Sequence, residues 1–146
     1  MLPKSIELEV VTPERHVLAE TVLAIEIPGR GGYLGVLPGH APLITELGIG
    51  ILAYRTASQT RYLTIINGYA EVLPDRVIVL AEISEKAEEI DVNRSRAARD
   101  RAKAELERVA TGSPQWQQEQ LAVERAMVRM GAAAKAGVPG ASSSAR

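Results

Sequence analysis

The spacing of apolar residues changes once along this chain, and that change limits the folds open to it. From residue 5 to about 82 the period is two. Ile6, Leu8 and Val10 alternate with Ser5, Glu7 and Glu9, and Leu23, Ile25 and Ile27 alternate with Ala24 and Glu26. Val77, Val79 and Ala81, set between Arg76, Ile78 and Leu80, repeat the pattern. A strand points successive side chains to opposite faces, so this spacing predicts half-buried strands. Turn-forming clusters at Thr12-Pro13-Glu14, Pro28-Gly29-Arg30-Gly31-Gly32, Pro38-Gly39, Asn67-Gly68 and Pro74-Asp75-Arg76 interrupt it at short intervals and leave no room for a helix. Many short strands with close turns predict an antiparallel β-sandwich or flattened barrel.

Near residue 85 the composition shifts to Ala, Glu, Arg and Lys, and the period becomes helical. Asp91 is placed to cap a first helix, with Glu85, Glu88 and Glu89 near its positive dipole end. That helix is expected to reach about Ala110. Thr111-Gly112-Ser113-Pro114 then supplies a C′ glycine, an N-cap serine and an N1 proline for a second helix over roughly 115–130. The remainder, GAAAKAGVPGASSSAR, is rich in Gly, Ala, Pro and Ser and is expected to be disordered. The predicted layout is a β-sandwich over 1–84, an antiparallel two-helix hairpin over 85–131 and a disordered tail over 132–146. Ala98, Ala102, Leu106 and Val109 form a stripe on the first helix, and Trp116, Val123, Met127 and Met130 one on the second. Leu121 and Val128 lie away from that stripe. The second helix therefore either packs on the sandwich as well or exchanges partners between states.

Composition removes several classes of function. With 146 residues, no Phe, one Trp and four Tyr, the core must be built from Val, Ile, Leu and Ala, and aromatic base stacking is a poor fit. A net charge of −1 gives no overall attraction to nucleic acid or anionic lipid. The lack of cysteine excludes disulfides and thiolate chemistry and suits a reducing compartment. No leader-like N-terminus and no run near the ~18 apolar residues of a membrane span are present, so a soluble protein reaching a membrane only through a partner is expected.

Catalytic constellations are also missing. His16 and His40 are the two imidazoles, and no G-x-S-x-G, H-E-x-x-H or Asp-rich loop accompanies either. PGRGGYLG has glycines but no following Lys-Ser/Thr and no helix to cradle a phosphate. No catalytic or metal-binding residue is therefore expected. Charge concentrates instead on the first helix, where Arg94, Arg96, Arg99, Arg101 and Lys103 face the single acid Asp100. Such a run is either a solvated face or a docking surface for an acidic protein segment.

PGRGGYLGVLPGHAPLITELGIG, then INGYAEVLPDRVIVLAE, then EEIDVNR, resemble in the same order the ε-subunit family of the rotary F-type ATP synthase. The resemblance spans about residues 5 to 130. It implies a sandwich of about ten strands followed by the hairpin. It further implies a non-catalytic rotor, or central-stalk, subunit of the proton-translocating enzyme that couples the c-ring to the γ subunit. In the family the hairpin folds against the sandwich or extends along γ toward the catalytic α/β hexamer, where it inhibits ATP hydrolysis. The implied location is peripheral, on the cytoplasmic face of the bacterial inner membrane. Under this resemblance Tyr33, Leu37, His40, Pro42 and Leu43 form a rotor interface, the alternative being that Leu37 and Leu43 fill the sandwich end. Arg94, Arg96, Arg99, Arg101, Lys103 and Arg108 become the inhibitory basic helix, directed at an acidic segment of the catalytic β subunit.

Some bacterial relatives also bind regulatory ATP through Ile/Leu-Asp-x-x-Arg-Ala and arginines on the second helix. Ile90, Asp91 and Arg94 match, Ser95 stands in place of Ala, Glu85 lies upstream, and Arg125 and Arg129 share one helical face. The structural alternative is that Asp91 only caps and the arginines are solvated. A free-standing ATP-sensing module and a small hydrolase using His40 are the competing readings from other classes.

Overall fold

The computed structural model describes residues 2–141. The chain divides into two compact units, Met1–Lys86 and Ala87–Arg146. The first unit holds β1 (Ile6–Val11), β2 (His16–Val22), β3 (Ala24–Gly29), β4 (Gly32–Val36), β5 (Leu43–Arg55), β6 (Thr60–Leu73) and β7 (Arg76–Ile83). They form one sheet in the order β2-β1-β7-β6-β5-β3-β4. All neighbours are antiparallel except β1 and β7. Val17 and Leu18 from one end of the sheet share a buried cluster with Ile27 and Val36 from the other, and with Leu52, Leu63 and Val77 between them. A sheet whose opposite ends share one core has folded over on itself, which makes a sandwich. The alternation picked out Ile6, Leu8, Val10, Ile25, Ile27, Val77, Val79 and Ala81, and all are buried.

Seven strands replace the ten implied by resemblance, because β5 and β6 are continuous over 13 and 14 residues. Asn67-Gly68, read as a turn, lies inside β6. Gly68 still pairs with Leu47 on one side and Ala81 on the other. Asn67 and Gly68 have φ of 54° and 135°. This left-handed pair rotates the strand instead of reversing it. Core-facing residues are odd-numbered before it (Leu63, Ile65) and even-numbered after it (Ala70, Val72). On β5 the same exchange occurs between Leu47 and Leu52, across Gly48 and Gly50.

The second unit contains a 3₁₀ turn (Ala87–Glu89), α1 (Val92–Leu106) and α2 (Pro114–Lys135). The Asp91 carboxylate accepts from the Arg94 N–H at 3.0 Å, capping α1 as predicted. Ser113 caps α2 by accepting from the Trp116 N–H at 3.1 Å, with Pro114 in the first turn. Two helix boundaries differ from expectation. α1 stops at Leu106, not Ala110, where Glu107 and Arg108 turn to tighter bonds with Ala104 and Glu105. Gly112, with φ of 83°, consequently sits in the connecting turn and is not the C′ residue of α1. α2 runs five residues past the expected end at 130, through Ala132 and Ala133, which are fully buried. Its buried stripe includes Ala126 and Met130, whereas Met127 and Leu121 are exposed.

The expectation of a disordered tail from 132 therefore fails up to Ala141, and residues 142–146 lie outside the described part. After Lys135 the Gly137 N–H bonds to Ala134 O and the Val138 N–H to Ala133 O. With Gly137 at φ 75°, this is a Schellman closure of the helix. A second turn follows, in which the Ala141 N–H reaches Val138 O at 3.2 Å, with Pro139 and Gly140 at its centre. Proline at the first central position and a left-handed glycine at the second are type II turn chemistry.

Candidate functional site

The loop between β4 and β5 is built by the same turn chemistry. The His40 N–H donates to Leu37 O at 3.1 Å across Pro38 and Gly39, and Gly39 has φ of 88°. The Gly39 N–H donates to Pro74 O at 2.7 Å, so the loop is fastened to the β6–β7 turn. The loop backbone is thus fixed before any partner arrives. Its apolar side chains are not consumed by the core. Leu37 is 60% exposed, Leu43 38% and the following Ile44 72%, and Pro42 is exposed as well. Leu37 and Leu43 therefore do not fill the sandwich end. Half-buried His40 directs its Nδ1 at Ala41 O, 2.7 Å away. Among the described residues no ion pair or hydrogen bond joins it to a carboxylate, so it has no orienting acid of the kind a catalytic base uses.

Tyr33 lies on β4 opposite Pro28, and its hydroxyl accepts the Ile51 N–H at 3.0 Å. That bond forms where the β3–β5 ladder is interrupted between Glu26 and Gly29. Gly50 leaves the space it crosses, since a Cβ there would stand 2.7 Å from the Tyr33 oxygen and 2.6 Å from Pro28. Tyr33 is therefore partly structural, although 57% of it remains exposed.

Ile44, Tyr69 and Leu80 were missed by sequence reasoning. Tyr69 and Leu80 are direct cross-strand partners, both more than half exposed, and Ile44 stands diagonally across β5 from Tyr69. Together they extend an apolar outer face next to a groove of about 410 Å³ that also takes in Val11 and Pro13. Leu80 carried a readable signal, because it alternates with the buried Val79 and Ala81. Tyr69 carried none, because the rotation at Asn67-Gly68 decides which way it points.

The six basic residues, five on α1 and Arg108 in the turn just past its end, divide into two sets. Arg96 donates to Asn93 Oδ1 and to Gly140 O, Arg99 pairs with Asp100 at 3.0 Å, and Arg108 lies 3.7 Å from Glu105. Arg94, Arg101 and Lys103 are exposed and have no ion-pair partner among the described residues. The Arg96–Gly140 bond joins the first turns of α1 to the segment just past α2, so the two helices run antiparallel. Asp91 and Arg94 therefore share one end of the hairpin with the C-terminal half of α2, which carries half-buried Arg125 and Arg129. Ile90 is buried. Ser95 is also buried, and its hydroxyl donates to Asp91 O at 3.0 Å, so it packs where an alanine would without an unmet polar group. Glu85 belongs to the first unit, where its backbone is tied to both the N–H and the hydroxyl of Thr64.

Residues 5–87 match the model of the ATP synthase delta/epsilon chain β-sandwich domain, and residues 88–134 that of the delta/epsilon chain long α-helix domain. The chain belongs to the ATP synthase delta/epsilon family. An ATP synthase epsilon chain of Koribacter versatilis is 52% identical over 69% of this chain and 71% of its own. One of the epsilon chains of Syntrophotalea carbinolica is 43% identical over 93% of this chain and 99% of its own. Among solved structures, a chain of the Euglena gracilis mitochondrial ATP synthase, determined as OSCP, F1 and c-ring, superposes with a TM-score of 0.77 at 25% identity, covering 94% of this chain and 84% of that one. A chain from the central stalk and c-ring of the Tetrahymena thermophila enzyme superposes at a TM-score of 0.55 and 13% identity, a likeness of fold. As an epsilon-family chain the protein is a non-catalytic subunit of a membrane-associated ATP synthase. No helix among the described residues is long and apolar enough to cross a membrane.

Proposed function

We propose that the sandwich unit of this epsilon-family chain is the rotor-binding part of the central stalk, held between the γ subunit and the c-ring, and that the hairpin unit is regulatory. The observation that carries this reading is the 37–44 segment. Its backbone is fixed by a type II turn and by the Gly39–Pro74 bond, while Leu37, Pro42, Leu43 and Ile44 are left exposed. A rigid apolar relief loses little conformational entropy on binding and transmits torque without yielding. In this reading Tyr33 and His40 flank the relief. On the hairpin, Arg94, Arg101 and Lys103 are available to an acidic segment of the catalytic α/β hexamer when the helices extend, and Arg96 is released from Gly140, while Arg99 and Arg108 would have to exchange their local partners Asp100 and Glu105 for that segment. The chain would then sit peripherally on the cytoplasmic face of the bacterial inner membrane, through the complex alone.

Reconstitution with γ and the c-ring tests the rotor assignment. A Leu37→Ala/His40→Ala double variant should bind about tenfold or more weakly, the range expected for residues near the centre of an interface, with thermal unfolding unchanged. Wild-type affinity in that variant would remove the assignment.

A regulatory ATP site is the second reading. The antiparallel hairpin favours it, because the start of α1, with Asp91 and Arg94, runs beside the C-terminal half of α2, which carries Arg125 and Arg129, and Ser95 is accommodated without disturbing the cap.

A further inference from the structure

The segment after α2 contributes a bond that neither the rotor surface nor the basic helix accounts for. The Arg96 guanidinium donates to Gly140 O at 2.8 Å, a contact between residues 44 apart in the sequence. The carbonyl is brought there by two consecutive devices: the Schellman closure at Gly137 and the type II turn over Val138–Ala141. Ala141, which ends that turn, has no exposed surface. The same guanidinium also donates to Asn93 Oδ1 at 3.2 Å, so Arg96 is held from its own helix and from the tail together.

We propose that Val138–Ala141 is an internal latch that holds the helical hairpin closed by binding Arg96 of α1. Three features support a latch over an incidental tail contact. The donor is a cation and the acceptor a backbone carbonyl, so the bond is charge-assisted and survives most substitutions in the tail. Pro139 presets the first central position and Gly140, at φ 84°, takes the second without steric conflict, so the turn forms with little ordering cost. Closure joins the start of α1 to the end of α2, the two ends farthest from the connecting turn at Gly112, where a hairpin parts first. The regulatory consequence rests on the inhibitory reading of the basic helix: Arg96 is withheld from an acidic partner while the latch is shut and offered to it when the latch opens.

Amide hydrogen exchange on the full chain tests the latch. Truncation after Gly137 keeps the Gly137 bond of the helix end but removes the turn. It should lower protection about tenfold over Ala97–Ala102 of α1. Gly140→Ala retains every carbonyl and strains only the turn, so it should lower protection in the same stretch by a smaller factor. Truncation after Ala141 should leave protection unchanged. A loss confined to the last turn of α2, with α1 unaffected, would overturn the latch, as would an equal loss on truncation after Ala141. ATP hydrolysis by the assembled enzyme separates this from the inhibitory reading. Deeper inhibition by the chain ending at Gly137 supports both. Looser α1 amides with unaltered inhibition support the latch and count against the inhibitory role of α1.

Discussion

At Gly68 a methyl group has nowhere to go. A Cβ there would stand 2.0 Å from Leu80 O and 2.8 Å from Ala81 Cα, both backbone atoms, and the residue has φ of +135°. Steric overlap and a forbidden backbone region act together, and neither can relax without moving β7. Gly68→Ala should cost about 3 kcal/mol or more, read as a lower urea midpoint with an unchanged slope. Gly35 makes the contrast, since a Cβ at that position meets nothing within 4 Å and its φ is ordinary. Gly35→Ala should be neutral within about 0.5 kcal/mol or slightly stabilising. Equal effects at both glycines would contradict the account of the β6 rotation. Ser95 shows the opposite case, in which a polar residue at a buried site is harmless because its hydroxyl finds Asp91 O one turn back.

Among the elements, α1 depends most on its ends. Its apolar stripe is narrow and small, with Ala102 the one buried alanine and Ala98 and Leu106 only half-buried. With little area to bury, the Asp91 cap supplies a larger share of its stability than a cap does in a well-buried helix. Asp91→Ala should therefore lower stability by about 1 kcal/mol, detected as a shift in the urea midpoint. Asp91→Asn keeps a good cap and removes the charge. It should unfold like the unaltered chain, and under the ATP reading it should bind ATP more weakly in an equilibrium titration. No saturable ATP binding by the unaltered chain at millimolar concentration would remove that reading altogether. The composition of α1 announced it as a helix, and the caps at Asp91 and Ser113 were legible as local chemistry. Its early stop at Leu106 was not, because the weak last turn is decided by how the connection to α2 closes.

For the whole molecule, basic charge on one element of a nearly neutral chain gives inhibition a distinctive signature. Replacing Arg94, Arg99, Arg101 and Lys103 by Gln should raise ATP hydrolysis by the assembled enzyme. Inhibition by the unaltered chain should weaken as ionic strength increases past about 0.15 M, where screening acts within about 8 Å. Unchanged hydrolysis in the fourfold variant would show that α1 does not act through its charge. The rotor surface should behave differently, because an apolar relief such as Leu37 and Ile44 binds with little dependence on salt.

Much of the fold was legible because strand and helix periods are properties of neighbouring residues, and the switch near residue 85 needs no tertiary information. The turn at Pro38-Gly39 and the two helix caps were fixed in the same local way. Three things were settled only when the chain came together. Asn67-Gly68 has the chemistry of a reversal, yet pairing with β5 on one side and β7 on the other holds it extended and turns Tyr69 outward. The tail has the composition of disorder, yet Ala132, Ala133 and Ala141 are buried and Arg96 binds its carbonyl, which stabilises a turn that the residues alone only permit. The exposed surface of Leu37, Ile44 and Tyr69 was likewise a matter of tertiary structure, because at these positions the sequence shows that a residue is apolar and only the packed sheet shows which apolar residues the core leaves over.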